Sequence, residues 1–263
     1  MEGLRPEAYG DAFADVYDEW YAEVTDVGAT VAFLADRARR TAPLPVLELG
    51  VGTGRLALPL SAALARDHIA VRGLDASVAM LDRLRTKPGA AAVEVVVADM
   101  ADVGTAVAAR WPDSLPHRAH GLVFVAFNTL FNLTSAADQG RCLEGVVRVL
   151  APDGRLVVEA VVPAADPERR DVVTVRSRRA DHVVLSVSRA DPDEQRVEGR
   201  FVELSHGRPV RRRPWSLRYA PPEELDGLAA AAGLVLEQRW GGWRTEPFTD
   251  ASDLHVSVYR RAR

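Results

Sequence analysis

The sequence predicts an α/β protein: a mainly parallel sheet with helices on both faces, an antiparallel β segment inserted late in the chain, and a helical segment at the N-terminus. Three observations carry this prediction. Between residues 46 and 162, short apolar runs alternate with helical-period segments. That is the rhythm of strand–helix–strand units, whose crossovers are right-handed and whose ligands sit at the carboxyl ends of the strands. From about residue 171 to 218 the rhythm changes to β-branched alternation, the pattern of antiparallel strands. At 263 residues, the chain can bury roughly 70–75% of its unfolded surface, so it needs no disulfide or metal staples.

Each element has a local reason. Tyr9, Phe13, Val16, Tyr17 and Trp20 recur at i, i+3 and i+4 spacing and predict a helical segment over residues 1–22 with one aromatic face. A second helix is expected from Ala29 to Arg40, stopped by Pro43 and Pro45. Val46–Leu49 reads as a buried strand entering a glycine-rich turn, and Leu56–Arg66 as a helix. Ile69–Leu74 is a strand ending at Asp75, and Ser77 is a good N-cap for a helix over Val78–Arg85. Val93–Ala98, ending at Asp99, and Leu122–Phe127 are two further strands. Ser135 with Asp138 three positions on forms a capping-box pattern for a helix reaching about Leu150. Pro152, Asp153 and Gly154 mark a turn before a strand over Arg155–Val162. Four β-branched runs follow, separated by turn residues near Asp191 and His206, and predict three or four antiparallel strands that form a lid or a self-association surface. Pro222 and Gly233 bracket a last helix, and strands near Val235–Arg239 and Leu254–Tyr259 close the chain. The expected organisation is one domain: a helical lid over 1–40, a core over 41–162, a β insertion over 165–218, and a helix with a strand pair over 219–263 that completes the core.

Composition excludes several classes. The net charge of −4 gives no global field that would draw the chain to nucleic acid or anionic lipid. The arginine runs at 39–40, 176–179 and 211–213 are interleaved with acids and read as solvated faces. No run approaches the ~18 apolar residues of a membrane helix, and the acid-rich start does not resemble a secretory signal. One cysteine, Cys142, rules out an intramolecular disulfide or a multi-thiolate zinc site, and it reads as a buried small apolar residue. That usage suits a reducing cytoplasm. His117 and His120 fall in what reads as a loop. Their spacing lacks acid or thiol support, so solvent-facing side chains and no metal are expected.

The chemistry concentrates in Glu48-Leu49-Gly50-Val51-Gly52-Thr53-Gly54. Missing side chains let backbone approach a ligand and adopt positive φ, and N–H groups at a helix start bind carboxylate or phosphate. A dinucleotide fingerprint would need a third glycine three positions after Gly52, where Arg55 stands. The Gly-Lys-Ser/Thr of a P-loop is missing as well.

On these residues the chain resembles the class I S-adenosylmethionine (SAM)-dependent methyltransferases, with their Rossmann-like sheet. The resemblance spans residues 45–162 most clearly. It implies that Glu48, Gly50, Gly52 and Gly54 belong to the loop around the methionine part of SAM. It further implies that Asp75, with Ala76 beside it, holds the ribose hydroxyls. Asp99 would then stand near the adenine amino group, with Met80 and Met100 flanking the ring. Asp75 lies 25 positions after Gly50, and Asp99 lies 24 after Asp75. In this family the end of the fourth strand, here Ala126, Phe127 and Asn128, faces the reacting methyl. The stretch Asn128-Thr-Leu-Phe-Asn-Leu133 looks like small-molecule methyltransferases of antibiotic and sugar pathways. The Asn/Asp-Pro-Pro-Tyr/Phe motif of nucleobase and planar-amide enzymes is missing. The N-terminal segment resembles the lid of the same group, in which Tyr9 and Tyr17, sharing a helix face, shield the sulfonium by cation–π contact.

The resemblance therefore implies a cytoplasmic enzyme that methylates an amine nitrogen of a small molecule, akin to amino-sugar and lincosamide-type N-methyltransferases. Tyr17, Phe127 and Asn128 are the catalytic candidates, and a homo-oligomer is expected. O-methylation of a sugar or polyketide is the alternative; a nicotinamide-dependent oxidoreductase or a non-catalytic SAM-binding protein are readings of other classes. A hydroxyl acceptor would need a general base. Glu159, His206, His255 and Tyr17 qualify only by residue type, and no triad is visible. Trp240-Gly-Gly-Trp243 with Arg244 suits either an acceptor pocket or hairpin packing. Arg211–Arg213 suit either a substrate carboxylate or an exposed face.

Overall fold

The computed structural model describes residues 5–22, 26–112, 120–164 and 170–262. Its elements are α1 (Ala8–Phe13), α2 (Tyr17–Trp20), α3 (Val27–Arg39), β1 (Val46–Leu49), α4 (Ala57–Leu64), β2 (Val71–Asp75), α5 (Val78–Arg85), β3 (Val93–Val97), α6 (Val103–Arg110), β4 (His120–Val125), α7 (Ala136–Val149) and β5 (Leu150–Val161). There follow β6 (Arg170–Arg178), β7 (His182–Asp191), β8 (Arg196–Ser205), β9 (Arg211–Arg218), α8 (Pro222–Ala231), β10 (Leu234–Trp240) and β11 (Leu254–Arg261).

A seven-stranded sheet runs in the order β10-β11-β5-β4-β1-β2-β3. The five strands from β5 to β3 are parallel, and β11 lies antiparallel to both β5 and β10. Strand order reverses between β1 and β4, which opens a crevice at the carboxyl ends of those two strands. β1 and β4 are buried along their whole length, and apart from Glu48 and His120 they carry only apolar residues and a glycine. Leu47, Leu49, Val123, Val125, Leu156 and Val158 pack against Val103 and Val107 of α6, Cys142 to Val149 of α7, and Leu225 of α8. The alternating residues Val46, Leu122, Phe124 and Val157 pack against Leu34 of α3, Leu60 and Leu64 of α4, and Leu81 and Leu84 of α5. Burying each such side chain contributes about 1.5–3 kcal/mol, and these two cores anchor the strand ends where the chemistry lies.

The caps read from sequence are present. Ser77 Oγ accepts the Met80 N–H at 3.1 Å. Ser135 Oγ accepts the Asp138 N–H at 3.0 Å and donates to Asp138 Oδ2 at 2.7 Å. A second, four-stranded antiparallel sheet has the order β6-β7-β8-β9. One of its faces, through Val184, Phe201 and Trp215, receives Phe13 and Trp20 of the N-terminal segment. Phe201 meets Phe13 edge-on at 5.7 Å and Trp20 at 5.4 Å.

Several expectations need correction. The N-terminal helix is two short helices, because the chain breaks regular pattern between Phe13 and Tyr17. Helix α6 carries only Val103 and Val107 as buried anchors and left too weak a periodic signal to be read. β4 ends at Val125, so Ala126 and Phe127 lie beyond the strand. The extended backbone from Leu150 continues through the expected turn at residues 152–154. His120 is buried on β4 rather than solvent-facing, its Nδ1 3.3 Å from Val149 O; His117 lies outside the described residues. Arg213 is buried rather than exposed.

Candidate active site

The loop from β1 to α4 turns under the switch point. Gly50, Gly52 and Gly54 all have positive φ, at 68°, 54° and 79°. The requirement is sharpest at Gly50, where an added Cβ would stand 2.3 Å from Thr129 Cγ2. At Gly52 the space is open, with the nearest atom 4.0 Å from such a Cβ. From the end of β2, Asp75 reaches back to this loop. Its Oδ2 accepts the Gly52 N–H and its Oδ1 the Ser77 N–H, both at 2.8 Å. Burial raises the Asp75 carboxyl above its usual range; the two N–H groups oppose that shift and Asp11 adds to it. Beyond β3, Asp99 Oδ1 accepts the Ala101 N–H at 2.9 Å. The residue therefore caps a short 3-10 turn while its side of the turn faces the crevice.

Above the crevice lies a cavity of about 410 Å3. Tyr9, Tyr17, Gly50, Gly52, Asp75, Ala76, Met80, Asp99 and Met100 all line it. Glu48, Gly54, Ala126, Phe127 and Asn128 do not. The far wall is formed by Thr129 and Asn132 to Thr134, within and just after the Asn-Thr-Leu-Phe-Asn-Leu stretch, with Asp138 and Arg141 of α7. No local signal marks Asp138 or Arg141 as cavity residues.

The N-terminal segment roofs the cavity. Tyr9 stacks on Phe13 at 4.5 Å and its hydroxyl donates to Tyr21 Oη at 3.2 Å. Tyr17 lies against Tyr21 at 4.7 Å, and Tyr21 meets Phe127 edge-on at 5.5 Å. Burial pushes the Tyr17 phenol up to about 12, against the opposing charge of Arg55. Three bonds fasten this roof to the cofactor loop and its neighbours. Ser77 Oγ donates to Asp11 Oδ1 at 2.7 Å, Thr53 Oγ1 to Asp18 Oδ1 at 2.6 Å, and Lys87 Nζ to the same Asp18 oxygen at 2.8 Å.

Beside the cavity, Phe127 and Asn128 occupy left-handed backbone, with φ of 56° and 59°. Both are held by the end of β5. The Phe127 N–H donates to Glu159 Oε2 at 2.7 Å, and Asn128 Oδ1 accepts the Val161 N–H at 2.6 Å. The Arg55 guanidinium lies 5.1 Å from the Phe127 ring centre. Burial raises the Glu159 carboxyl; the Phe127 N–H, the Trp243 indole and Arg55 oppose it. Glu48 is buried and burial raises its carboxyl well above the usual range, with Arg55 opposing and Asp75 adding. His255 is buried, with Nδ1 2.8 Å from Ser257 Oγ, and desolvation lowers its pKa to about 4. His206 lies in the exposed turn after β8. Trp243 packs edge-on against Phe33 at 5.3 Å, in the core.

The donor set fits SAM. Asp75 and Asp99 offer carboxylates to hydroxyl and amino donors, Met80, Met100 and Leu74 supply apolar walls for a purine, and the open face of Gly52 leaves room for a chain laid along the loop. Glu48, on the strand that enters the loop, has its Oε2 buried without a hydrogen-bond partner. A parallel sheet with a switch point, a positive-φ glycine loop and two carboxylates around one cavity fit SAM, and the chain belongs to the SAM-dependent methyltransferases, enzymes that use SAM as cofactor.

Comparison with known proteins gives the particulars. Residues 46–154 match the family model described as a methyltransferase domain. The chain is similar to the CcbJ methyltransferase from Streptomyces caelestis, at 35% identity over 99% of this chain and 100% of that one, with a TM-score of 0.85. It shares its fold with the sugar N-methyltransferase KedS8 from Streptoalloteichus sp, at 23% identity over 99% of both chains and a TM-score of 0.65. The same holds for SAM-bound CalS10, an amino pentose methyltransferase from Micromonospora echinaspora involved in calicheamicin biosynthesis. There the identity is 24% over 98% of this chain and 99% of that one, with a TM-score of 0.60. No curated protein sequence gives a significant match. Among the described residues, no helix is long and apolar enough to cross a membrane, and no group of three or more His, Cys, Asp or Glu side chains could hold a metal ion.

Proposed function

We propose that the enzyme transfers the methyl group of SAM to an amine nitrogen of a small-molecule acceptor of the amino-sugar or related natural-product type. One observation carries the choice of nitrogen: of the candidate bases Glu159, His206, His255 and Tyr17, Tyr17 alone lines the cavity, and its phenol does not ionise near neutral pH. The cavity lining contains no histidine. The Tyr17 phenol, pushed up to about 12, stays protonated. Glu159, His206 and His255 are not among the residues that line the cavity, and Asn128 Oδ1 accepts the Val161 N–H. A hydroxyl acceptor would need such a base, whereas an amine presents its own lone pair once water has taken its proton. The fold-level likeness to sugar and amino pentose methyltransferases points the same way.

When bound, SAM supplies a methyl group already activated on a cationic sulfur and leaves as S-adenosylhomocysteine. The work of the chain is to hold, orient and exclude water. In this reading Asp75 with Ala76 holds the ribose, and Asp99, Met80 and Met100 hold the adenine. Gly50, Gly52, Gly54 and Glu48 shape the methionine end, with Ala126 at its base. Tyr9 and Tyr17 close over the sulfonium with their π faces. Phe127 and Asn128, locked by β5, form the wall against which the acceptor nitrogen aligns. Residues 1–40 act as lid, 41–162 with 219–263 as core, and 165–218 as insertion of a single domain. The edge strand β6, with Val173 and Val175 exposed at 64% and 61%, supports a homo-oligomer.

The test is an acceptor screen with purified enzyme and SAM, read by mass spectrometry. Gain of a methyl on the nitrogen of small amines is the expected result. Methyl gain confined to hydroxyls overturns the reading.

A further inference from the structure

From sequence, the arginine run at 211–213 suits an exposed face or a substrate contact. The structure gives its last member another place. Arg213 on β9 has a side chain only 3% exposed, and all its charge is answered within the chain. Its Nε donates to Glu203 on β8, and one Nη donates to the carbonyl of Ala12 in α1. The two Nη groups form a fork on Asp15, at 2.5 Å and 3.0 Å. Arg211 adds a 3.0 Å ion pair to the same carboxylate. The Arg213 guanidinium also lies 5.6 Å from the Trp20 ring. Glu203 thus fixes the arginine to the insertion, and the free end of its fork grips the break between α1 and α2.

That break matters because of what flanks it. Tyr9 on α1 and Tyr17 on α2 line the cofactor cavity, and Asp15 stands between them. Across the break a single backbone bond, from the Val16 N–H to Phe13 O at 3.0 Å, replaces the regular helical ladder, so side-chain contacts are left to fix the angle at which the two short helices meet. We propose that the β insertion acts as the seat of the cofactor lid, and that Arg213 is a positioning residue that acts through Asp15 and Ala12 to hold Tyr9 and Tyr17 over the cavity. The planar fork suits this task, since bidentate carboxylate pairing fixes orientation as well as distance. The Arg213 bond holds the Asp15 carboxyl below its usual range, so the clamp is charged at neutral pH. The inference rests on the lid role given above to Tyr9 and Tyr17.

The experiment compares wild type with Asp15→Ala, Arg213→Lys and Tyr17→Ala in the full-length enzyme. S-adenosylhomocysteine affinity is measured by calorimetry and backbone amide exchange by mass spectrometry. Asp15→Ala removes the lid side of the clamp and leaves Arg213 on Glu203. It is expected to weaken S-adenosylhomocysteine binding about tenfold, the size of one lost charge-assisted hydrogen bond. Exchange should rise over residues 8–21 while β7 and β8 keep their protection. Arg213→Lys keeps the charge but not the fork and should fall between wild type and Asp15→Ala. If Asp15→Ala binds as wild type does, or if exchange rises first in β7 and β8, Arg213 is only a staple of the insertion and the proposal is wrong. Tyr17→Ala separates the two claims. If it weakens binding while Asp15→Ala does not, the clamp alone falls; if neither weakens it, the lid reading falls too.

Discussion

Replacing Asp75 by alanine is the sharpest test of the cofactor site. Each carboxylate oxygen already accepts one backbone N–H at 2.8 Å, from Gly52 and from Ser77. A carboxylate offers about four acceptor positions, so each oxygen retains room for a ribose hydroxyl. Loss of two hydrogen bonds to a charged acceptor, at roughly 1.5 kcal/mol each as a lower bound, costs about 3 kcal/mol, or about a hundredfold in Kd. The variant also leaves the Gly52 and Ser77 N–H groups without their acceptor, and water entering the cavity satisfies them in part. Asp75→Asn keeps the volume and one acceptor oxygen but not the charge, so it should fall between wild type and alanine. The assay is calorimetric titration with S-adenosylhomocysteine, with NAD and NADP as controls and thermal melting to confirm folding. A folded Asp75→Ala protein that binds within about threefold of wild type would refute the assignment of Asp75 to the ribose.

Other outcomes follow from the same geometry. Burial holds His120 and His255 at about 4 in the fold, against 6.5 for the free side chain. The unfolded chain therefore takes up protons that the folded one does not. The histidines' contribution to stability is full above pH 6.5 and is lost as pH falls towards about 4, by up to roughly 3 kcal/mol per histidine; in urea unfolding at pH 7 and pH 5 the change in stability should be less unfavourable to the acid side in His255→Gln than in wild type, and an identical pH dependence would contradict it. Tyr17→Phe keeps the ring that lines the cavity and loses only a phenol that never ionises near neutral pH. Its kcat should stay within about threefold of wild type while Tyr17→Ala loses more than about tenfold, and a Phe variant as poor as Ala would show that the hydroxyl does the chemistry. Gly50→Ala drives a Cβ to 2.3 Å from Thr129 Cγ2 at a φ of 68° and should abolish cofactor binding. Pairing it with Thr129→Ser removes that methyl and should recover part of the binding, leaving about 1–2 kcal/mol of left-handed backbone strain; no recovery would place the defect elsewhere.

The strands, the caps and the cofactor loop were legible because each is a local property. Val46–Leu49 carries apolar side chains on both faces, with Glu48 the exception, and reads as a buried strand. Ser77 and Ser135 announce the helices they cap, and glycines at 50, 52 and 54 announce a turn that bare backbone alone can make. The acids at 75 and 99 mark strand ends because each closes an apolar run at the point where the chain turns. Helix α6 was missed for the converse reason: two buried valines among alanine, glycine and threonine give a helix that only its packing on α7 stabilises.

Tertiary structure alone decided what lies between distant segments. Sequence spacing does not show that Thr129 closes on Gly50, that α7 lends Asp138 and Arg141 to the cavity, or that Asn128 is tied to β5. The clearest case is Arg213, read as exposed and found buried. A charged side chain leaves water only where partners answer it, and its partners Asp15 and Ala12 stand some two hundred positions away in the chain. Periodicity records which face of an element is apolar. It carries no record of which far element will meet that face, because that pairing is set by the three-dimensional closure of the chain and not by any local pattern.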